Sequence, residues 1–222
     1  MHPWFQRVLP FGLGFFLVAN ANLLEAGGGT LRATDLLGLF LALLLVLRSR
    51  RWVVWSAVAA GAALVFLPAT WGGLAVLGIA DPGTLAQGAR WVLAVPWALA
   101  LSAVLRSEPD CTNFIKGITV GCLLNAIVIV AQQYGVDGPF ARLGFSRFGQ
   151  NIVWVGEMVR MPGIHGGPSA SAAVLSLVAP ATMWLYLRDR VGLAWPIAGF
   201  VAAVVGLHLT ASRSPVLMLA LT

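Results

Sequence analysis

The chain has 222 residues, 59% hydrophobic and only 10% charged, with a mean hydropathy of +0.87. Soluble domains carry about 25% charged residues, so this composition cannot cover a water-facing globule and points to a lipid bilayer. Lys and Arg (14) outnumber Asp and Glu (8), for a net charge of +6. The basic residues are scattered between apolar blocks instead of forming one stripe, which argues against nucleic acid as a partner.

At the N-terminus, Arg7, an apolar run over 8–19 and the triplet Ala19-Asn20-Ala21 have the layout of a signal peptide. Trp4 and Phe5 extend the run, and further apolar blocks follow, so an uncleaved first span is expected. The blocks cover residues 8–24, 36–47, 52–67, 90–105, 114–131, 170–187 and 193–211. Several are shorter than the roughly 20 residues that cross the hydrocarbon core, but flanking Trp, Gly and Ala residues can extend them. An eighth begins at Pro215 and reaches only Thr222. The expected fold is an all-α polytopic membrane protein: one domain over 1–222, about seven transmembrane helices and a truncated eighth, the N-terminal portion of something longer. An outer loop is expected over 134–168.

The side of each loop follows from the Lys and Arg bias. Arg48-Ser49-Arg50-Arg51 anchors the second connection in the cytoplasm, and alternation then places Arg7, Arg106, Lys116, Arg188 and Arg190 inside as well. Trp52, Trp55, Trp71, Trp91, Trp97, Trp184 and Trp195 lie near block ends, as expected of rings settling at the headgroup level. Small residues at 59–63 and at Ala170, Ala172 and Ala173 would let neighbouring helices approach closely. Cys111 and Cys122 fit neither a disulfide framework nor a paired metal-site spacing and read as ordinary small residues.

The candidate chemistry lies in the outer loop and just after the seventh block. Arg142, Arg147 and Arg160 stand on the outer side, against the usual bias. The planar guanidinium stays charged and can donate two parallel hydrogen bonds, which suits it to phosphate. The plainer reading is three interfacial arginines with no specific ligand. Residues 139–148 could lie flat on the membrane, with Phe140, Leu143 and Phe148 downward, although Arg147 falls between Phe140 and Leu143 at helical spacing. In 160–169 (RMPGIHGGPS), Pro and Gly interrupt helix directly before the sixth block and allow close backbone approach to a ligand. His165 is a weak acid–base candidate with no visible partner. Finally, Thr210-Ala211-Ser212-Arg213-Ser214-Pro215 sets a charge between two apolar runs with almost no loop, which makes Arg213 a functional candidate.

Arg160-x-x-Gly163, then Gly167-Pro168-Ser169-Ala170 at the start of a span, then Thr210-x-Ser212-Arg213 one span later resemble the O-antigen ligase and O-antigen polymerase family, in its N-terminal portion. The family more often shows Asn near Pro168-Ser169, and Gly where this chain has Ser214. The resemblance implies an enzyme that moves a glycan from an undecaprenyl-diphosphate carrier to an acceptor (lipid A core, protein or growing polysaccharide). It implies work at the periplasmic face of the bacterial inner membrane, in contact with membrane lipids. Arg160 and Arg213 match family arginines that contact the donor diphosphate, and Arg142 and Arg147 are further diphosphate candidates. The resemblance implies no cofactor, and the chain carries no Asp-x-Asp metal motif. The family brings a further His and Arg on a large periplasmic loop beyond the portion matched here, so no activity is expected from this portion alone.

Two alternatives carry different expectations. A transporter or flippase of lipid-linked or small solutes also has broken spans and intramembrane charges, but needs an acidic ion site that no apolar block here supplies. A purely structural membrane subunit predicts that the outer arginines scatter instead of converging.

Overall fold

A computed structural model describes residues 3–20, 22–26, 29–38, 40, 97–98, 101–102, 104–145, 153–155, 158–164 and 168–210. The chain divides into two compact units, one formed by Met1–Ala21 with Leu105–Thr222 and the other by Asn22–Val104. The described residues are mostly helical. In chain order they form α1 (Pro3–Val18), β1 (Asn22–Ala26), β2 (Gly29–Arg32), α2 (Glu108–Gln133), α3 (Gly138–Arg142), β3 (Val153–Val155), β4 (Met158–Arg160), α4 (Pro168–Leu187) and α5 (Ala194–Thr210).

The expectation of an all-α chain needs correction, because β1 with β2 and β3 with β4 form two short antiparallel hairpins. In the second, Val153 pairs with Arg160 and Val155 with Met158. Its strands are Val-Trp-Val and Met-Val-Arg, three residues each, too short for a helix and rich in the branched and aromatic side chains that fit a pleated surface. The first hairpin also ends the block over 8–24 early, since α1 stops at Val18 and Asn22 already pairs with Arg32.

Helix α2 starts where its chemistry says it should. Ser107 caps it: its hydroxyl accepts from the backbone N–H of Asp110, and the Asp110 carboxylate returns to the Ser107 N–H at 3.1 Å. This reciprocal box satisfies two end groups at once. The far end closes on Gly135, at φ +68, with its N–H donating to the Gln132 carbonyl and the Val136 N–H to that of Ala131. That pairing uses the last carbonyls of α2 and needs a left-handed residue. The same closure ends α3 on Gly144 and α4 on Asp189, which takes φ 54 without being glycine.

Among the described residues, α2 is the helix long and apolar enough to cross a membrane. Its 26 residues span about 39 Å at 1.5 Å per residue. Blocks 170–187 and 193–211 fold as the shorter helices α4 and α5. Blocks 52–67 and most of 36–47 and 90–105 lie outside the described residues, as does the start of an eighth at Pro215. The described residues therefore carry one clear span, not seven.

Within the first unit the helices pack through small residues. A Cβ on Gly14 would meet the Phe114 carbonyl, one on Gly117 the Phe11 carbonyl, and one on Gly121 the Val18 side chain. Gly117 lies against Phe11 and Phe15 and Gly121, one turn on, against Phe15 and Val18, so α1 and α2 are parallel, and the absent side chains let the two backbones touch. Helices α4 and α5 are antiparallel: Gly199 lies against Thr182, and Gly206 against Leu175. Of the small residues expected to pack in α4, Ala172 is fully buried and Ala173 faces outward. Cys122, Ile129, Leu175, Val178, Ala202 and Ala203 meet in the core.

Beside its apolar core the first unit buries several polar side chains and turns many large apolar ones outward. Thr119, Asn125, Gln132, Ser171, Thr182 and Thr210 are buried, while Phe16, Ile127, Leu177, Ile197, Phe200 and Val204 are exposed. Together with α2, this makes the chain membrane-associated.

In the second unit, residues 33–38 are helical, and the Asp35 carboxylate accepts from the Arg32 N–H at 2.9 Å. Trp97 is buried, and its Nε1 donates to the Thr34 carbonyl at 3.1 Å.

Candidate functional site

The candidate site grows from the end of β4. Arg160 is the last residue of that strand, and Met161, Pro162, Gly163 and Ile164 then run buried and non-helical between α2, α4 and α5. Irregular backbone away from water must find partners for its polar groups, and each described partner is specific. The Met161 N–H donates to the Leu209 carbonyl at 3.3 Å. Pro162 has no N–H, and its carbonyl accepts from the Ser171 hydroxyl at 2.7 Å. The Gly163 N–H donates to Gln132 Oε1 at 2.9 Å, and the Ile164 N–H to Asn125 Oδ1 at 2.8 Å.

Glycine at 163 is required twice over. Its φ is +64, and a Cβ there would lie 2.5 Å from Asn125 Oδ1 and 2.6 Å from Ser171 Oγ. The Pro-Gly break read from the sequence is thus a tight strap held by three polar side chains. Its expected purpose, close backbone approach, is met here by protein side chains.

Arg160 itself reaches α5. Its Nε donates to the carbonyl of Thr210 at 2.9 Å, the last residue of that helix. End carbonyls of a helix lack intrahelical donors and carry partial negative charge, so a guanidinium is well placed there. The contact joins the two motifs singled out in the sequence, because Thr210 opens the stretch Thr210-x-Ser212-Arg213.

Arg142 stands in the last turn of α3 and is exposed. The expected flat amphipathic helix over 139–148 is represented by the five residues of α3, with Leu143 exposed just after it. Arg147, His165 and Arg213 lie outside the described residues. Among the described residues, no three His, Cys, Asp or Glu side chains gather into a metal-binding group.

Sequence reasoning passed over Asn125, Gln132 and Ser171, which hold the strap. The usable signal was chemical: an amide at 125 inside an apolar block, and a second seven residues on, two helical turns along the same face. Comparison with protein-family profiles, curated proteins and solved structures finds no match to this chain.

Proposed function

We propose that this chain is the donor-binding part of a polytopic membrane enzyme. In this reading the enzyme transfers a glycan from an undecaprenyl-diphosphate carrier to a lipid, protein or polysaccharide acceptor at the periplasmic face of the bacterial inner membrane. The observation that carries the reading is the hydrogen bond from Arg160 to the Thr210 carbonyl, which brings together the two motifs that resemble the O-antigen ligase and polymerase family. As the glycosidic bond breaks, negative charge grows on the departing diphosphate. Preorganised guanidinium groups at Arg160 and Arg213 would stabilise that charge, with Arg142 and Arg147 as further contacts and His165 as the weak acid–base candidate.

Helix directions support an odd number of crossings between α1 and α2 in this reading. Helices α1, α2 and α5 run one way and α4 the other, so the chain leaves α1 at one end of the unit and enters α2 at the opposite end. A return through a bilayer takes an odd number of crossings, and in this reading the apolar blocks 36–47, 52–67 and 90–105 of the sequence would be three. Charge supports the same orientation: Arg7, Arg106, Lys116, Arg188 and Arg190 belong to the end where α1 and α2 begin and α4 turns into α5. Arg142 and Arg160 follow the opposite end of α2.

The test is binding of undecaprenyl diphosphate by the chain in lipid nanodiscs, followed by native mass spectrometry, with undecaprenol as the control lacking phosphate. Arg160→Ala and Arg213→Ala should each weaken diphosphate binding by about tenfold or more, the worth of a charge-assisted hydrogen bond. Undecaprenol retention should not change. Wild-type diphosphate binding by both variants would sink the assignment.

A further inference from the structure

Arg160 can meet a diphosphate in one fixed place only if the backbone that carries it is held, and the residues that follow it are held by amide side chains of α2. Gln132 Oε1 accepts from Gly163 N–H, and Asn125 Oδ1 from Ile164 N–H. Both side chains are completely buried. Asn125 is informative for what it leaves undone: its Nδ2 is buried without a hydrogen-bond partner. An unsatisfied amide donor in a bundle interior is costly, and a leucine, which has the same branched shape, has no such donor. The asparagine is explained by its oxygen, which the strap uses.

We propose that Asn125 and Gln132 are positioning residues for diphosphate recognition. They seat Gly163 and Ile164 on α2, and thereby hold Arg160 against the Thr210 carbonyl, where the two motifs meet. This rests on the reading of Arg160 as a diphosphate ligand. Neither amide touches the donor. Each raises the fraction of molecules in which the strap is seated, and apparent affinity falls in proportion when that fraction falls. Gly163 is the matching half of the seat, because its missing side chain leaves room for the Asn125 and Ser171 oxygens.

The experiment uses Asn125→Leu, Gln132→Met and, from the strap side with α2 intact, Gly163→Ala. Three quantities are measured on each in nanodiscs: amide hydrogen exchange of peptides covering 160–164, binding of undecaprenyl diphosphate, and thermal unfolding. Exchange protection and diphosphate affinity should both fall about tenfold or more. In Asn125→Leu the unpaired Nδ2 is removed while the Ile164 N–H loses its acceptor, two effects of similar size and opposite sign, so its unfolding midpoint should stay close to that of wild type. A merely structural residue would not lower binding without lowering stability. Gln132→Glu offers an acceptor oxygen, its buried carboxyl being favoured in the neutral form, and should keep both protection and affinity closer to wild type than Gln132→Met does.

Protection lost with diphosphate affinity unchanged overturns the positioning role, and so does unchanged protection. Arg160→Ala measured alongside separates the two claims. If it binds diphosphate as wild type does, the transferase reading itself fails; if it loses binding while the amide variants keep it, only the positioning role fails.

Discussion

Gly117 faces the main-chain carbonyl of Phe11 with no room for a Cβ between them. Backbone contact of this kind gives dispersion and close-approach energy that no larger residue can provide. Gly117→Ala should therefore lower the stability of the α1–α2 pair by about 1–3 kcal/mol, the usual range for overpacking a tight contact. Gly12, in the same helix as Phe11, has nothing within 4 Å of its would-be Cβ. Gly12→Ala should stabilise by roughly 0.5–1 kcal/mol through helix propensity. Thermal unfolding in detergent reads both, and the opposite signs are the point of the comparison.

The helix ends give a second pair of opposite signs. Gly135 and Asp189 occupy equivalent positions after α2 and α4, both left-handed, at φ +68 and φ 54. A side chain in that region costs about 1–2 kcal/mol for most residues. Gly135→Ala should destabilise by about that amount although the space around it is open. Asp189→Gly should stabilise by up to about 1 kcal/mol, less than the full cost because aspartate tolerates the region better than most. Unfolding midpoints that move in the same direction for both would contradict this account of the turns.

How much of this was legible beforehand depended on the kind of signal. The block over 114–131 marked α2, and the blocks over 170–187 and 193–211 marked α4 and α5 within two residues at each end, because long apolar runs are a periodicity-free signal of length. The hairpins were not foreseen: strands of three to five residues inside a hydrophobic chain look like span edges, and only pairing distinguishes them. Gly117 and Gly121 form a small-xxx-small pair that was visible but unread, since its meaning depends on which helix lies opposite. Arg160 was singled out from charge and side alone. Its contact with Thr210 could not be, because the two are 50 residues apart and the partner is a carbonyl, which any residue possesses.

Arg190 and Glu108 form a two-pronged ion pair, Nε to Oε1 at 2.7 Å and Nη2 to Oε2 at 2.6 Å, tying the α4–α5 turn to the start of α2. Both side chains are nearly half exposed, at 49% and 41%. Solvent screens such pairs, so a double-mutant cycle with Glu108→Gln and Arg190→Gln should give a coupling of about 1 kcal/mol or less. It should shrink further in high salt. Lys116 over the Trp195 ring, at 5.5 Å, joins α2 to α5 at the same end independently. The helices should therefore stay docked in both single variants, and a coupling of several kcal/mol would mean that the pair is shielded from water.

Orientation is the prediction on which the proposed function depends most, because a donor site for a periplasmic reaction must face outward. Tyr134, just beyond α2, is 76% exposed. Gly192, in the α4–α5 turn, is exposed with open space around it. In a background with Cys111→Ser and Cys122→Ala, a membrane-impermeant maleimide should modify Tyr134→Cys in intact spheroplasts. It should reach Gly192→Cys only after the membrane is opened. Helix α2 leads from the Ser107 cap to Tyr134, and α4 returns to the Gly192 turn, so the two cysteines sit at opposite ends of one unit. Labelling of both from the same side would show that α2 does not cross. The outward-facing arginine site would then have no membrane face to act from.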